Sequence, residues 1–164
     1  MFKYLLSKKL QSLERGFTLI ELLVTVVIIG VLAAVSMPNL LAQIGKARET
    51  EASSQIGAVG RSQQAYHFET KTFAPTLDSL GQNIAIAGAY YDFPDPAIAN
   101  TSVVKHQAIA NTPYDVSSRN FAIGVYFNSG SYESVLCRAV APASSVNAPD
   151  TPDASCTNSG TKIQ

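Results

Sequence analysis

Few side chains in this sequence have the types and spacing that chemistry requires. His67 and His106 are its only histidines, and there is no H-E-x-x-H pattern, no G-x-S-x-G and no glycine-rich phosphate loop. The two read as a helix-edge residue (His67) and a strand or loop residue (His106) in preference to a proton-transfer pair. Asp92 and Asp95 flank Pro94, but two carboxylates fall short of the roughly six to eight oxygens calcium takes, so a solvated turn is the simpler reading. Asn100-Thr101-Ser102 fits the N-glycosylation acceptor pattern. Cys137 and Cys156 are the only cysteines, which leaves no clustered four-ligand zinc site. Their spacing is not C-x-x-C, so a structural disulfide is weighed against a free or redox-active thiol. No catalytic set, cofactor site or metal site emerges. What remains is Glu21, an acid at the head of a long apolar run.

The elements around Glu21 explain why it stands out. The chain has 164 residues, 46% hydrophobic and 15% charged, with 12 basic and 12 acidic side chains. That length suits one domain with an appendage and leaves no room for a multi-domain enzyme. The zero balance provides no broad basic surface for nucleic acid, and the apolar content argues against disorder. Lys3, Lys8, Lys9 and Arg15 face only Glu14 at the start. From Leu22 to Gly45, 24 residues carry no charge; as helix they would run about 36 Å, enough to span a bilayer core. The basic flank predicts a cytoplasmic N-terminus and an exported remainder, an oxidising setting that suits a Cys137–Cys156 bridge. Two plain readings compete: a secretory signal with Leu22–Leu32 as its apolar core and Ala34-Val35-Ser36 as exit, or a simple signal anchor. Glu21 fits neither, since an ionised carboxylate costs about 2–3 kcal/mol toward the bilayer centre, less near its surface, and normally has a partner.

The string Arg15-Gly16-Phe17-Thr18-Leu19-Ile20-Glu21-Leu22-Leu23-Val24 resembles the processing site and mature N-terminus of type IV prepilins and pseudopilins. The resemblance implies cleavage between Gly16 and Phe17 by a prepilin peptidase, which also methylates the new Phe17 amine. The apolar segment is then kept, first as membrane anchor and afterwards as filament core. Glu21 becomes an assembly residue, its carboxylate meeting the Phe17 amine of a neighbouring subunit and setting axial register. Between Gly30 and Pro38 the resemblance implies a helix break in assembled filaments, and the residues agree: proline lacks an amide hydrogen and glycine weakens helices.

Beyond the apolar run, Leu41, Ile44, Ala52, Ile56, Val59 and Tyr66 form a stripe at helical period that predicts packing on a globular head. Gly45, Gly57 and Gly60 are weak points or close-packing sites. The helix is expected to end near His67–Lys71, followed by a connection with Gly81 and Gly88 as breaks. Val103–Ala110, Phe121–Phe127 and Tyr132–Val140 read as strands, the last two joined by the turn Asn128-Ser129-Gly130-Ser131, and Ala85–Tyr91 is a weaker strand. The string from Ser62 to Gly81 resembles the cyanobacterial subgroup of pilin-like proteins. The expected fold class is α+β, a type IV pilin fold with a long N-terminal helix on an antiparallel sheet of about four strands. Pairing Cys137 with Cys156 would stabilise by about 3 kcal/mol and resembles the disulfide-bounded C-terminal region of pilins.

The resulting division is a leader over 1–16, an assembly helix over 17–45 and a head over 46–164. The resemblance implies a pilus subunit in motility, adhesion or DNA uptake, held in the inner membrane before assembly and later at the cell surface. Its partners would be related subunits, the peptidase/methyltransferase, and an assembly platform with a separate motor ATPase. The alternatives are a type II secretion pseudopilin and a signal-anchored binding domain that does not polymerise. The basic residues after Phe17 form no linear patch for DNA, leaving a surface cluster around Arg119 and Arg138 open.

Overall fold

The computed structural model describes residues 16–81 and 90–163. The expected leader before Gly16, the Gly88 break and most of the weak Ala85–Tyr91 strand lie outside them. The chain divides into two compact units, one up to Leu40 and one over Leu41–Gln164.

Helix α1 covers Leu19–Thr70. In the first unit its side chains are exposed throughout and, apart from Glu21, Thr25, Ser36 and Asn39, apolar; Leu19 is 87% accessible. The helix continues through Gly30 and Pro38, so the break expected there is not present in this single chain. A proline removes one intrahelical hydrogen bond and crowds one turn, and the helix formers on either side hold the rest. Lys71 ends the helix with a left-handed φ of 63°, and its ammonium donates to the Phe68 carbonyl at 2.9 Å, satisfying an end carbonyl.

Among the described residues, the second unit holds a six-stranded antiparallel sheet beside the second half of α1. Its strands are β1 (Tyr91–Asp92), β2 (Ile98–Ala99), β3 (Val103–Ala110), β4 (Phe121–Asn128), β5 (Ser131–Arg138) and β6 (Thr161–Lys162). The order is β1-β3-β4-β5-β6, with β2 also on β3. Three long strands match the expected ones to within two residues, and the three short ones raise the count above the expected four. The β4–β5 hairpin turns through Ser129 (φ 49°) and Gly130 (φ 92°), the left-handed pair that matches strand twist in a two-residue loop.

β4 is buried on both faces because the sheet is the middle of three layers. On one face Phe121 and Ile123 pack with Ala52, Ile56 and Leu136. On the other, Ala122 and Tyr126 meet Val135, Cys137, Val146, Ala148 and Cys156. The C-terminal segment makes that outer layer with little secondary structure of its own. Sheet side chains hold it: the Tyr126 hydroxyl donates to Pro149 O at 2.5 Å, Lys105 Nζ to Asp150 Oδ1 at 2.6 Å, and Asn120 Nδ2 to Ser144 O at 3.0 Å. The Cys137–Cys156 disulfide is formed, with the two Cα atoms 5.8 Å apart.

The buried face of α1 differs from the expected stripe. Ala52, Ile56 and Val59 are buried, but Leu41 and Ile44 are exposed and Tyr66 is only half-buried. Gly45, Gly60, Gln63 and His67 take the remaining buried positions. The two glycines allow close approach: a Cβ on Gly45 would sit 2.7 Å from the Ser117 carbonyl oxygen, and one on Gly60 2.7 Å from Ile123 Cδ1. Both therefore serve packing.

Candidate functional site

The residues singled out at the N-terminus lie together at the start of α1. Thr18 precedes the first helical residue, and its hydroxyl accepts the Glu21 amide hydrogen at 3.3 Å. This is the N-cap half of a Thr-x-x-Glu capping box, a signal readable from spacing that the expectations had left unused. The cap fixes the backbone and leaves the Glu21 carboxylate exposed, with no partner in the single chain among the described residues. An acid in the first turn is also favoured by the helix dipole. Phe17 is 72% accessible. A Cβ on Gly16 would meet nothing within 4 Å among the described residues, so their packing places no demand for glycine there. From Leu19 onward the helix is long and apolar enough to cross a membrane.

Farther along α1, His67 is a buried residue and not a helix-edge one, while His106 lies on a strand, β3, as expected. Each is 2% accessible, and each belongs to a polar seam between helix and sheet. Gln63 Nε2 donates to Ala74 O at 3.1 Å and lies 2.9 Å from His106 Nε2, while Gln63 Oε1 accepts the Ala74 amide at 2.8 Å. With both amide hydrogens of Gln63 so used, His106 Nε2 is the acceptor and Nδ1 carries the proton. That Nδ1 is buried without a partner among the described residues. Burial lowers the His106 pKa to about 4, against the opposing field of Asp95. His67 Nε2 donates to Thr101 O at 2.9 Å, so its Nδ1 accepts from the Tyr132 hydroxyl at 2.8 Å. Its ring lies 4.4 Å from Phe73 and 4.5 Å from Phe127, centroid to centroid. These are core hydrogen bonds closing the head around α1. Their signal was available in the i, i+4 spacing of Gln63 and His67 on the face continuing Ile56 and Val59.

The remaining candidates disperse. Asp92 is exposed, and Asp95 Oδ1 accepts the Leu77 amide at 2.8 Å; no group of three metal-ligating side chains occurs among the described residues. Asn100 turns its Oδ1 onto the amides of Ser102 and Val103, each at 2.8 Å. A second feature unread in the sequence is Arg48, whose guanidinium lies 4.6 Å from the Tyr90 ring centroid and 4.4 Å from that of Tyr114.

An exposed apolar helix with an acid in its first turn, followed by a helix-on-sheet head with a disulfide-tied cover, defines a pilin-like architecture. A family model for type IV pilin-like G and H proteins matches residues 49–162, and the chain belongs to that family. A model of the prokaryotic N-terminal methylation motif matches residues 11–37. Among similar proteins, the type IV major pilin protein PilA of Myxococcus xanthus is 34% identical over 42% of this chain and 31% of its own length. The type II secretion system core protein G of Dickeya chrysanthemi is 38% identical over 42% and 44%. The type IV wide pilus major component PilA4 of Thermus thermophilus is 39% identical over 40% and 50%. The chain thus spans about a third to a half of the length of these relatives.

Proposed function

We propose that this protein is a type IV pilus subunit made as a prepilin. In this reading it is cut between Gly16 and Phe17, N-methylated at Phe17 and polymerised through the first half of α1. Residues 1–16 are the leader, 17–45 the anchor and assembly helix, and 46–164 the head. The observation that carries the reading is the coincidence of the methylation motif with a helix start where Glu21 is exposed and capped only through its backbone. The new Phe17 amine of one subunit and the Glu21 carboxylate of the next are opposite charges in an apolar bundle, where leaving either alone is costly. Gly16, free of packing among the described residues, is then a requirement of the peptidase's own site. Gly30 and Pro38 mark where α1 loses helicity once neighbouring subunits compete for its packing.

The subunit carries out no catalysis and needs no cofactor. A peptidase/methyltransferase does the chemistry, and an assembly platform with a separate motor ATPase provides the energy. Before assembly the chain is a single-pass inner-membrane precursor with its N-terminus in the cytoplasm; afterwards it lies in a filament at the cell surface, where it meets surfaces or DNA. The narrower cyanobacterial affinity is supported by the Ser62–Gly81 string alone. Mass spectrometry of sheared surface filaments tests the proposal. The expected result is an abundant peptide beginning at methylated Phe17, and a chain beginning at Met1 or Met37 would overturn it. The similarity to type II secretion core protein G favours a second reading, a pseudopilin, for which the same methylated peptide would be found in the membrane and not in surface filaments.

A further inference from the structure

A cleft of about 540 Å³ in the second unit is lined by Lys46, Arg119 and Arg138 together with one carboxylate, Glu49. Glu49 is already engaged, its Oε1 accepting the Arg119 amide hydrogen at 3.1 Å. Neither arginine forms an ion pair among the described residues, and Arg138 Nε is buried without a hydrogen-bond partner. A buried guanidinium nitrogen left unsatisfied is unfavourable, and an acceptor is the missing element. Beside the hydroxyl residues Thr50, Ser53 and Ser117, the lining includes the apolar Pro142 and the half-exposed Ile163. Ala42 also lines the cleft. By chain position it lies in the last turn of the uncharged run, and Lys46 is the first charge after that run.

We propose that this cleft binds the phosphate of an anionic phospholipid while the apolar run of α1 lies in a bilayer. Residues that follow a membrane span directly sit at headgroup depth, where cations meet lipid phosphates. Arginine forks match phosphate oxygens in paired hydrogen bonds, and Pro142 with Ile163 suits the glycerol and upper acyl carbons. An acidic surface of a neighbouring subunit would satisfy the charges but make less use of that apolar lining, and duplex DNA would not reach headgroup depth. The inference rests on reading α1 as a membrane anchor. Its function is to seat the head before assembly and to release it when the subunit leaves the membrane.

The test uses the full chain in dodecyl maltoside micelles, titrated with phosphatidylglycerol or phosphatidylcholine and read by native mass spectrometry. The wild type should retain phosphatidylglycerol at concentrations about tenfold or more below those needed for phosphatidylcholine, since each cation near a lipid surface contributes about fivefold. Arg119→Gln with Arg138→Gln should abolish most of that preference, while Arg119→Lys with Arg138→Lys keeps most of it. The leader's cations are present in all three proteins, so the difference reads the cleft. Melting temperature and the Cys137–Cys156 bond report folding; should the glutamine pair fail to fold, exposed Lys46→Gln should still lose about fivefold. Equal retention of the two lipids, or unchanged preference in the folded glutamine pair or in Lys46→Gln, overturns the proposal. So does a result in which these arginines govern filament yield but not lipid retention, which would assign the cleft to a neighbouring subunit. A chain that keeps phosphatidylglycerol but is never cut at Gly16 would sink the pilin reading and leave this one standing.

Discussion

The two halves of α1 obey opposite rules. Up to Leu40 the helix is apolar on every side and exposed on every side; from Gly45 onward it has one buried face that contains glycine, glutamine and histidine. A helix apolar all round is built for surroundings outside its own chain, whether lipid or other helices. A helix with one packed face is built for its own domain. The difference teaches that hydrophobicity alone does not mark the core of this protein, since its most apolar stretch has none of the intramolecular packing and its packed stretch has a polar seam.

The most severe test of that contrast is Glu21→Ala. The carboxylate has no role in the single chain beyond the first helical turn, so cleavage at Gly16 and the stability of the head should be unchanged. Surface filaments should fall by more than about tenfold, the loss expected when a buried charge is left unpaired; normal piliation would remove the register role. Next comes a matched pair of truncations. Ile56, fully buried against the sheet, should lose about 2–5 kcal/mol on Ile56→Ala. Ile28→Ala removes the same atoms from an exposed site and should leave the denaturation midpoint of the head unmoved. Equal effects would end the comparison. Third, Cys137→Ser with Cys156→Ser should lower head stability by about 3 kcal/mol, with protease cuts appearing first between Pro142 and Ala154, where the cover is held mainly by side chains from β3 and β4.

Periodicity made the regular elements readable. The long helix, β3, β4, β5, the hairpin turn and the cysteine pairing follow from period 3.6, period 2, turn chemistry and compartment. Leu41 and Ile44 misled because they continue the apolar run and not the packed face, and the run's hydrophobicity extends past the point where the head begins. Gln63 and His67 were missed because polar residues carry no apolar signal, although their spacing continues that of Ile56; Gly45 and Gly60, open in the sequence between weak points and close-packing sites, serve packing. The outer layer was invisible for a different reason. It is fastened by bonds between residues far apart in sequence, such as Tyr126 to Pro149 and Asn120 to Ser144, and no local pattern records those partners. At the N-terminus the motif itself carried the candidate site, and only the Thr18 cap was left unread.

The smallest predicted effect concerns the polar seam, and it separates the two halves of α1 by pH. Burial holds the His106 pKa at about 4, below the ordinary histidine value of 6.5. A depressed histidine is neutral in the folded state, so between these two values the unfolded chain binds more protons than the folded one, and stability rises with pH. The contribution is fully present above about pH 6.5, declines as pH falls, and levels off below about pH 4. At pH 5 the head should have lost about 2 kcal/mol relative to pH 7.5. His106→Gln should flatten the urea midpoint against pH over that interval, because glutamine can still pair with Gln63 but does not titrate. Helix content from the first half of α1, which contains no histidine, should stay constant over the same range. A midpoint that falls equally in His106→Gln would place the acid sensitivity elsewhere in the head and remove the seam as the titrating part of the contrast.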